Sequence, residues 1–279
     1  MKSLKVLSLS LLILHIGAFL YSEQEVPQRI ISLGPSITQQ LYLLNAEDRL
    51  IACTTYCDRP KEAQGKERVA TAIEVNLEKV VSLEPDIVLA TSLTNHRAIK
   101  KLKDLGLNVE IFSMPKNFGQ LCEQFLRLGE IIGKEKEAED IVNKAKTKVA
   151  LIQREIKALP RQKVFVQLGA KPLHTVNKDS FINSLIEFAR GTNTASDSTS
   201  GLYSREKVLK DNPAVIIITT MGIIGEKEKE VWKRYNTIDA VKNRRIHIIE
   251  SYKLCSATPA SFVETLKEIV EYLHQEKYE

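Results

Sequence analysis

Two carboxylates stand out by position. Glu78 and Glu206 occupy the same place in two related segments, NLEKVVSLEPDIVLAT (76–91) and SREKVLKDNPAVIIIT (204–219), set apart by 204 − 76 = 128 residues. At that one offset Lys79 falls on Lys207, Val80 on Val208, Pro85 on Pro213 and Thr91 on Thr219. A second concentration of chemistry is the run TTYCDRP (54–60), which puts a phenol, a thiol, a carboxylate and a guanidinium side by side. Cys57 can ligate a soft metal as thiolate, but no second ligand stands at metal spacing. Asp58 and Arg59 suit pairing with each other or capping of the loop. His96 and His174 can serve a metal or haem, although a lone loop histidine is more often simply solvated. HExxH, CxxC and paired-His spacings are absent, as are GxSxG, P-loop and GxGxxG signatures, and no spacing ties Ser, His and Asp together. The expected chemistry is therefore binding rather than catalysis, with no resident cofactor or metal.

These groups need elements to hold them. In each copy of the duplicated segment an N-cap residue, Asn76 or Ser204, opens a short helix with Glu at its second position, where the positive end of the dipole favours a carboxylate. A proline then stops the helix, and a β-branched run follows as a buried strand. Two similar lobes are implied, each with one acid on its rim. The expected first lobe runs strand 29–33, a helix through Leu44 with Pro35 in its first turn, strand 50–54, helix 77–83, strand 86–90, helix 96–105, strand 108–112 and helix 117–132. The second runs strand 163–168, helix 179–189, loop 192–201, helix 205–210, strand 214–219, helix 226–234, strand 245–249, loop 250–258 and helix 259–275. Strands alternating with helices at this spacing indicate α/β units with mostly parallel sheets. Between them, residues 134–158 contain no Gly or Pro and carry apolar residues at helical period from Ala138 to Ile156, so one long amphipathic helix is expected to join the lobes. The domain reading is a signal segment at 1–22, a lobe at 23–133, the linking helix at 134–158 and a lobe at 159–279. Open α/β sheets bind ligands beyond the carboxyl ends of their strands. The candidate walls of a cleft are accordingly Pro35, Ser36, Tyr56, Cys57, Asn95, Leu168, Gly169, Tyr252 and Cys255.

The 279 residues are 43% hydrophobic, enough for one large core or two moderate ones. A net charge of +5 with cations scattered among nearly as many acids offers no stripe for nucleic acid. Lys2 and Lys5 precede an apolar run from Val6 to Leu20 that is short for a membrane span and reads as an export signal. No Cys follows that run, which argues against a lipid anchor. Cys53 and Cys122 are expected in the core, whereas Cys57 and Cys255 fall in loops after strands and can face each other, as thiols or as a bridge.

The ordered set RIISLGPSITQQLYLL, TTYCDRP, NLEKVVSLEPDIVLAT, the 134–158 helix, VFVQLG, SREKVLKDNPAVIIIT and the helix after CSATPASF resembles the class III periplasmic solute-binding proteins, which serve ABC importers of vitamin B12, ferric siderophores and haem. The resemblance implies two Rossmann-like α/β lobes joined by one rigid helix, with a metal chelate in the cleft between them. It implies a soluble, exported, periplasmic monomer whose partner is an ABC permease dimer with its ATPase. It gives Glu78 and Glu206 a role in docking on that permease, and makes Tyr56 a contact for a corrin. A corrinoid or a ferric siderophore is the expected cargo, with haem the alternative; a Cys-dependent redox or metal-handling enzyme using Cys57 and Cys255 is a further one. Departures from the pattern keep the cargo open. B12-binding relatives carry Trp where this chain has Ala72 and Thr91, and the loop CSATPASF has none of the arginines that suit anionic chelates.

Overall fold

A computed structural model describes residues 25–71, 74–220 and 225–275. The expected export signal at 1–22 and Ala72 lie outside these residues. In the first lobe the β-branched and aliphatic runs become parallel strands. β1 (Ile30–Ser32) sits at the centre between β2 (Leu50–Thr54) and β4 (Ile87–Thr91), with β3 (Glu67–Ala70) and β5 (Val109–Phe112) at the edges. The intervening helices are α1 (Pro35–Leu43), α2 (Leu77–Ser82), α3 (His96–Asp104) and α4 (Phe118–Ile131). Pro35 takes the first position of α1, where its missing N–H costs no helical hydrogen bond.

Helix α5 (Glu135–Ile156) has 22 residues, so it is about 33 Å long at 1.5 Å per residue. The second lobe follows. Its sheet runs in the order β11 (Ile246–Ile249), β10 (Val215–Thr219), β6 (Gln162–Gln167), β9 (Gly191–Asn193), again all parallel. A two-stranded antiparallel ribbon, β7 (Gly169–Ala170) with β8 (Leu173–His174), leaves the end of β6. The helices are α6 (Phe181–Phe188), α7 (Arg205–Asp211), α8 (Gly225–Lys233), α9 (Asp239–Lys242), α10 (Ser251–Cys255) and α11 (Pro259–Leu273).

The α/β class, the two lobes and the long helix match the sequence expectation. The differences lie in small elements. β3, β9, the β7–β8 ribbon, α9 and α10 were not expected, and α10 occupies a stretch read as loop. Each is short and draws its order from neighbours: β3 from the ladder with β2, β9 from β6, and α10 from the burial of Leu254. The long helix is also more than a strut. Its buried stripe of Ala138, Val142, Ala145, Val149, Ile152 and Ile156 packs on α4 of one lobe and α11 of the other. One hydrophobic cluster consequently runs from Leu41 and Phe125, through that stripe, to Val215 and Leu266.

Candidate functional site

The carboxyl ends of β1, β2 and β4 open onto a cavity of about 410 Å³ whose far wall is the end of α10. The volume is in the range of small-molecule sites. Pro35 and Ser36 enter it from the first turn of α1. The turn that brings them there passes close to β4: a Cβ on Gly34 would lie 2.5 Å from Thr91 Cγ2, so only glycine fits. Tyr56 lines the cavity from the loop after β2 and is 59% exposed. Its backbone N–H donates to Thr54 Oγ1 at 3.2 Å, which fixes the turn that presents the ring. Asn95 also lines it, but its Oδ1 is engaged as the cap of α3, accepting from the backbone N–H of Arg97 at 2.9 Å. From the second lobe come Cys255 and Ser256. A smaller chamber of about 50 Å³ shares Ser36, Met114 and Cys255 with the main one. Among the described lining residues Glu74 is the one that carries a charge, so the cavity wall presents no cation.

Five of the nine expected wall residues, Pro35, Ser36, Tyr56, Asn95 and Cys255, are thus brought together. The other four are not. Cys57 is fully buried and points away from the cavity, held by Thr38 Oγ1, which donates to its sulfur at 3.2 Å, and by Thr54 Oγ1 at 3.3 Å. Its sulfur neighbour is Cys53, not Cys255, and all four cysteines are free thiols. Leu168 packs against the core and Gly169 is paired to His174 in the ribbon. Tyr252 lines a different recess of about 720 Å³. There the Arg59 guanidinium lies 3.5 Å over the Tyr252 ring and pairs with Glu250 at 3.1 Å, reaching across to the other lobe instead of to Asp58. His96 and His174 line neither recess, and among the described residues no three His, Cys, Asp or Glu side chains cluster as a metal site. The sequence reading missed Leu93, Glu74 and Met114. Leu93 is 73% exposed in a strand-end loop, and an apolar side chain left in solvent there was the available signal.

Glu78 and Glu206 are both exposed at the second positions of α2 and α7. The expected caps form: Asn76 Oδ1 accepts from the backbone N–H of Lys79 at 3.0 Å, and Ser204 Oγ from that of Lys207 at 3.2 Å. Hydrogen bonds from its own backbone N–H and from Ser204 hold the Glu206 carboxyl below the usual carboxylate range. Neighbouring charges are engaged elsewhere. Lys79 pairs with Glu67, and Arg205 pairs with Glu228 at 2.6 Å while its guanidinium lies 4.5 Å from the Trp232 ring centroid. Trp232 itself is fully buried and donates from Nε1 to Gln167 Oε1 at 2.6 Å, so it is not available to the cavity.

A family model described as periplasmic binding protein matches residues 30–252. An ABC transporter substrate-binding lipoprotein of Bacillus subtilis is 31% identical over 262 residues, covering 90% of this chain and 82% of its own. A vitamin B12-binding protein of Photorhabdus laumondii is 30% identical over 221 residues, covering 78% of this chain and 80% of its own. Among solved structures, that of a possible iron-binding, periplasmic solute-binding protein from Staphylococcus epidermidis superposes with a TM-score of 0.78 at 28% identity, covering 90% of this chain and all of the other. These proteins are described by what they bind, not by a reaction they catalyse.

Proposed function

Because the chain belongs to the periplasmic binding protein family, we propose that it is the substrate-binding component of an ABC importer, taking a metal chelate into the cavity between its lobes and delivering it to the permease. The observation that carries the reading is the cavity of about 410 Å³, with no cation among its described lining residues and Tyr56 at its wall. A polyanionic chelate would be stripped of water there without a cation to meet it, which is costly. A corrinoid rimmed with carboxamides is satisfied by the Ser36, Thr91 and Asn95 side chains, while its broad face lies against Leu93, Tyr56 and Met114. A corrinoid is therefore the first choice of cargo, ahead of a ferric siderophore. Haem, with two carboxylates, finds no guanidinium or ammonium among the described residues of the cavity wall.

Delivery is assigned to Glu78 and Glu206, one on each lobe, against cationic side chains of a two-fold permease. The protein acts outside the cytoplasm as a monomer. The test is direct titration of the purified protein with hydroxocobalamin, a ferric hydroxamate and haemin in parallel, followed by native mass spectrometry. One-to-one corrinoid binding that weakens in Tyr56→Ala is the expected result. Haemin binding with a Soret band lost in Tyr56→Phe would transfer the assignment to haem, and no binding of any of the three would sink the metal-chelate reading.

A further inference from the structure

Behind the cavity wall lies a pair of thiols that ligand capture does not use. Cys53 is the penultimate residue of β2, and Cys57 closes the tight turn that follows, with its backbone N–H donating to Thr54 O at 3.1 Å. Both are fully buried, and one guanidinium nitrogen spans them, Arg68 Nη1 reaching Cys53 Sγ and donating to Cys57 O at 3.3 Å. The surroundings are rich in donors. Arg68 Nη1 donates to Cys53 Sγ at 2.9 Å and to Thr54 O at 2.6 Å, tying the guanidinium to the turn itself. Thr38 Oγ1 donates to Cys57 Sγ at 3.2 Å, and Thr54 Oγ1 lies 3.3 Å from the same sulfur. Donors aimed at sulfur favour the thiolate, the form that reacts.

The same chain supplies the contrast. Cys122 and Cys255 have no such donors, and burial pushes each thiol up to about 11. Cys57 moves the other way, lowered by the neighbouring Cys53 sulfur and by the Thr38 and Thr54 donors against its burial. Proton density in the pair collects on Cys53, where the neighbouring Cys57 sulfur and burial raise the thiol and outweigh the lowering effect of Arg68. One partner is thus set up as nucleophile and the other as the proton holder.

We propose that Cys53 and Cys57 form a thiol–disulfide site, oxidised by an exogenous disulfide to a bond that closes the loop carrying Tyr56. Cys57, as thiolate, attacks one sulfur of the exogenous disulfide and expels the other as thiolate. Cys53 then releases its proton and attacks Cys57 Sγ in the mixed disulfide, expelling the second thiolate. One S–S bond breaks in the oxidant and one forms in the protein. The pair loses two electrons and two protons, and the oxidant leaves as two thiols. Thr55 and Tyr56, which precede Cys57 in the turn, are exposed, so the buried thiol lies one residue from the surface and reacts when the turn opens. The product fixes the turn from which Tyr56 faces the cavity. Proteins working outside the cytoplasm meet oxidants of this class.

The test needs no ligand. The full chain is refolded in a buffer of oxidised and reduced glutathione, denatured in acid, alkylated and digested with trypsin. Cys53 and Cys57 lie on one tryptic peptide, because no Lys or Arg separates them. The expected product is that peptide, unalkylated and lighter by two hydrogens, with Cys122 and Cys255 both alkylated. The same result in a Cys122→Ser, Cys255→Ser double variant shows that pairing does not depend on shuffling through the other thiols. Alkylation of both Cys53 and Cys57 across the range of glutathione ratios overturns the proposal, as does a bond from Cys57 to Cys255.

Discussion

At the scale of single residues, direction in the chain decides function more than residue type. Tyr56 and Cys57 are neighbours, and both looked like cleft residues from sequence. Tyr56 sits at the exposed part of the turn after β2 and lines the cavity, whereas Cys57 closes that turn and is held in the core by Thr38 and Thr54. Residue type could not say which. Tyr56 carries the clearer prediction. Tyr56→Ala should weaken corrinoid binding about tenfold, or roughly 1.4 kcal/mol, as isothermal titration would read. Its urea midpoint should not move, since a ring 59% exposed contributes little to folding. A shifted midpoint with unchanged affinity would make Tyr56 structural. His247 carries a different one. It stacks on Tyr272 with ring centroids 4.0 Å apart, and its buried Nε2 has no hydrogen-bond partner among the described residues. Burial, then the positive charges of Lys229 and Arg245, lower it from 6.5 to about 4, while Glu268 acts weakly in the opposite sense. Above pH 6.5 both folded and unfolded imidazoles are neutral and the gap is silent. As the pH falls from there toward 4 the unfolded chain takes up the proton first, so stability is lost, by up to about 2 kcal/mol at pH 5 and less where solvent screens the ring. His247→Phe keeps the stack and removes the titration. It should gain stability over the parent between pH 7 and pH 5, measured by urea unfolding at both values, and an equal difference at the two pH values would refute the assignment.

Whole elements were legible where a period ran long and illegible where a neighbour did the work. The α5 stripe could be read from apolar spacing, and the caps of α2 and α7 from Asn76 and Ser204, because those signals are local. β3 and β9 could not, since ERVA and GTN carry no strand pattern of their own and take their order from a parallel neighbour. The crossing of α4 on α5 was also hidden, because it rests on a single missing methyl. A Cβ on Gly129 would sit 2.5 Å from Ala138 Cβ and 3.1 Å from Lys134 O. Both obstacles are fixed to backbone and cannot swing aside. Gly129→Ala gains about 1 kcal/mol of helix propensity. The overlap costs about 1–3 kcal/mol, and more when no side chain can yield, so the net effect should be destabilising. A urea midpoint lower than that of the parent is the expected measurement. A higher midpoint would mean that the two helices separate at little cost.

At the scale of the molecule, the proposed function divides the labour between the cavity and the two rim carboxylates. The shared core through α5 holds the lobes in one relative placement, so the separation of Glu78 and Glu206 is set by the fold and not by the ligand. Each lobe also fixes its own glutamate. α2 is tied to β3 through Lys79 and Glu67, and α7 to α8 and β6 through Arg205, Glu228 and Gln167, where Gln167 Nε2 donates to Glu228 at 2.7 Å. Those ion pairs neutralise Lys79 and Arg205, Lys207 lies 4.4 Å over the Tyr203 ring, and the two exposed carboxylates stand at a fixed spacing, a pattern that suits a two-fold partner better than a mobile pair would. Charge complementarity of this kind steers encounter and fixes orientation. Glu78→Ala with Glu206→Ala should therefore abolish uptake in cells while ligand affinity in titration stays within about twofold, since neither residue lines the cavity. Either single variant should retain partial uptake, because one lobe still docks. High salt should weaken association of the parent with its permease in detergent, and should change that of the double variant far less. Loss of ligand affinity in the double variant would move these residues from delivery to capture, and undiminished uptake would leave the duplicated glutamates with only the role of favouring their helix dipoles.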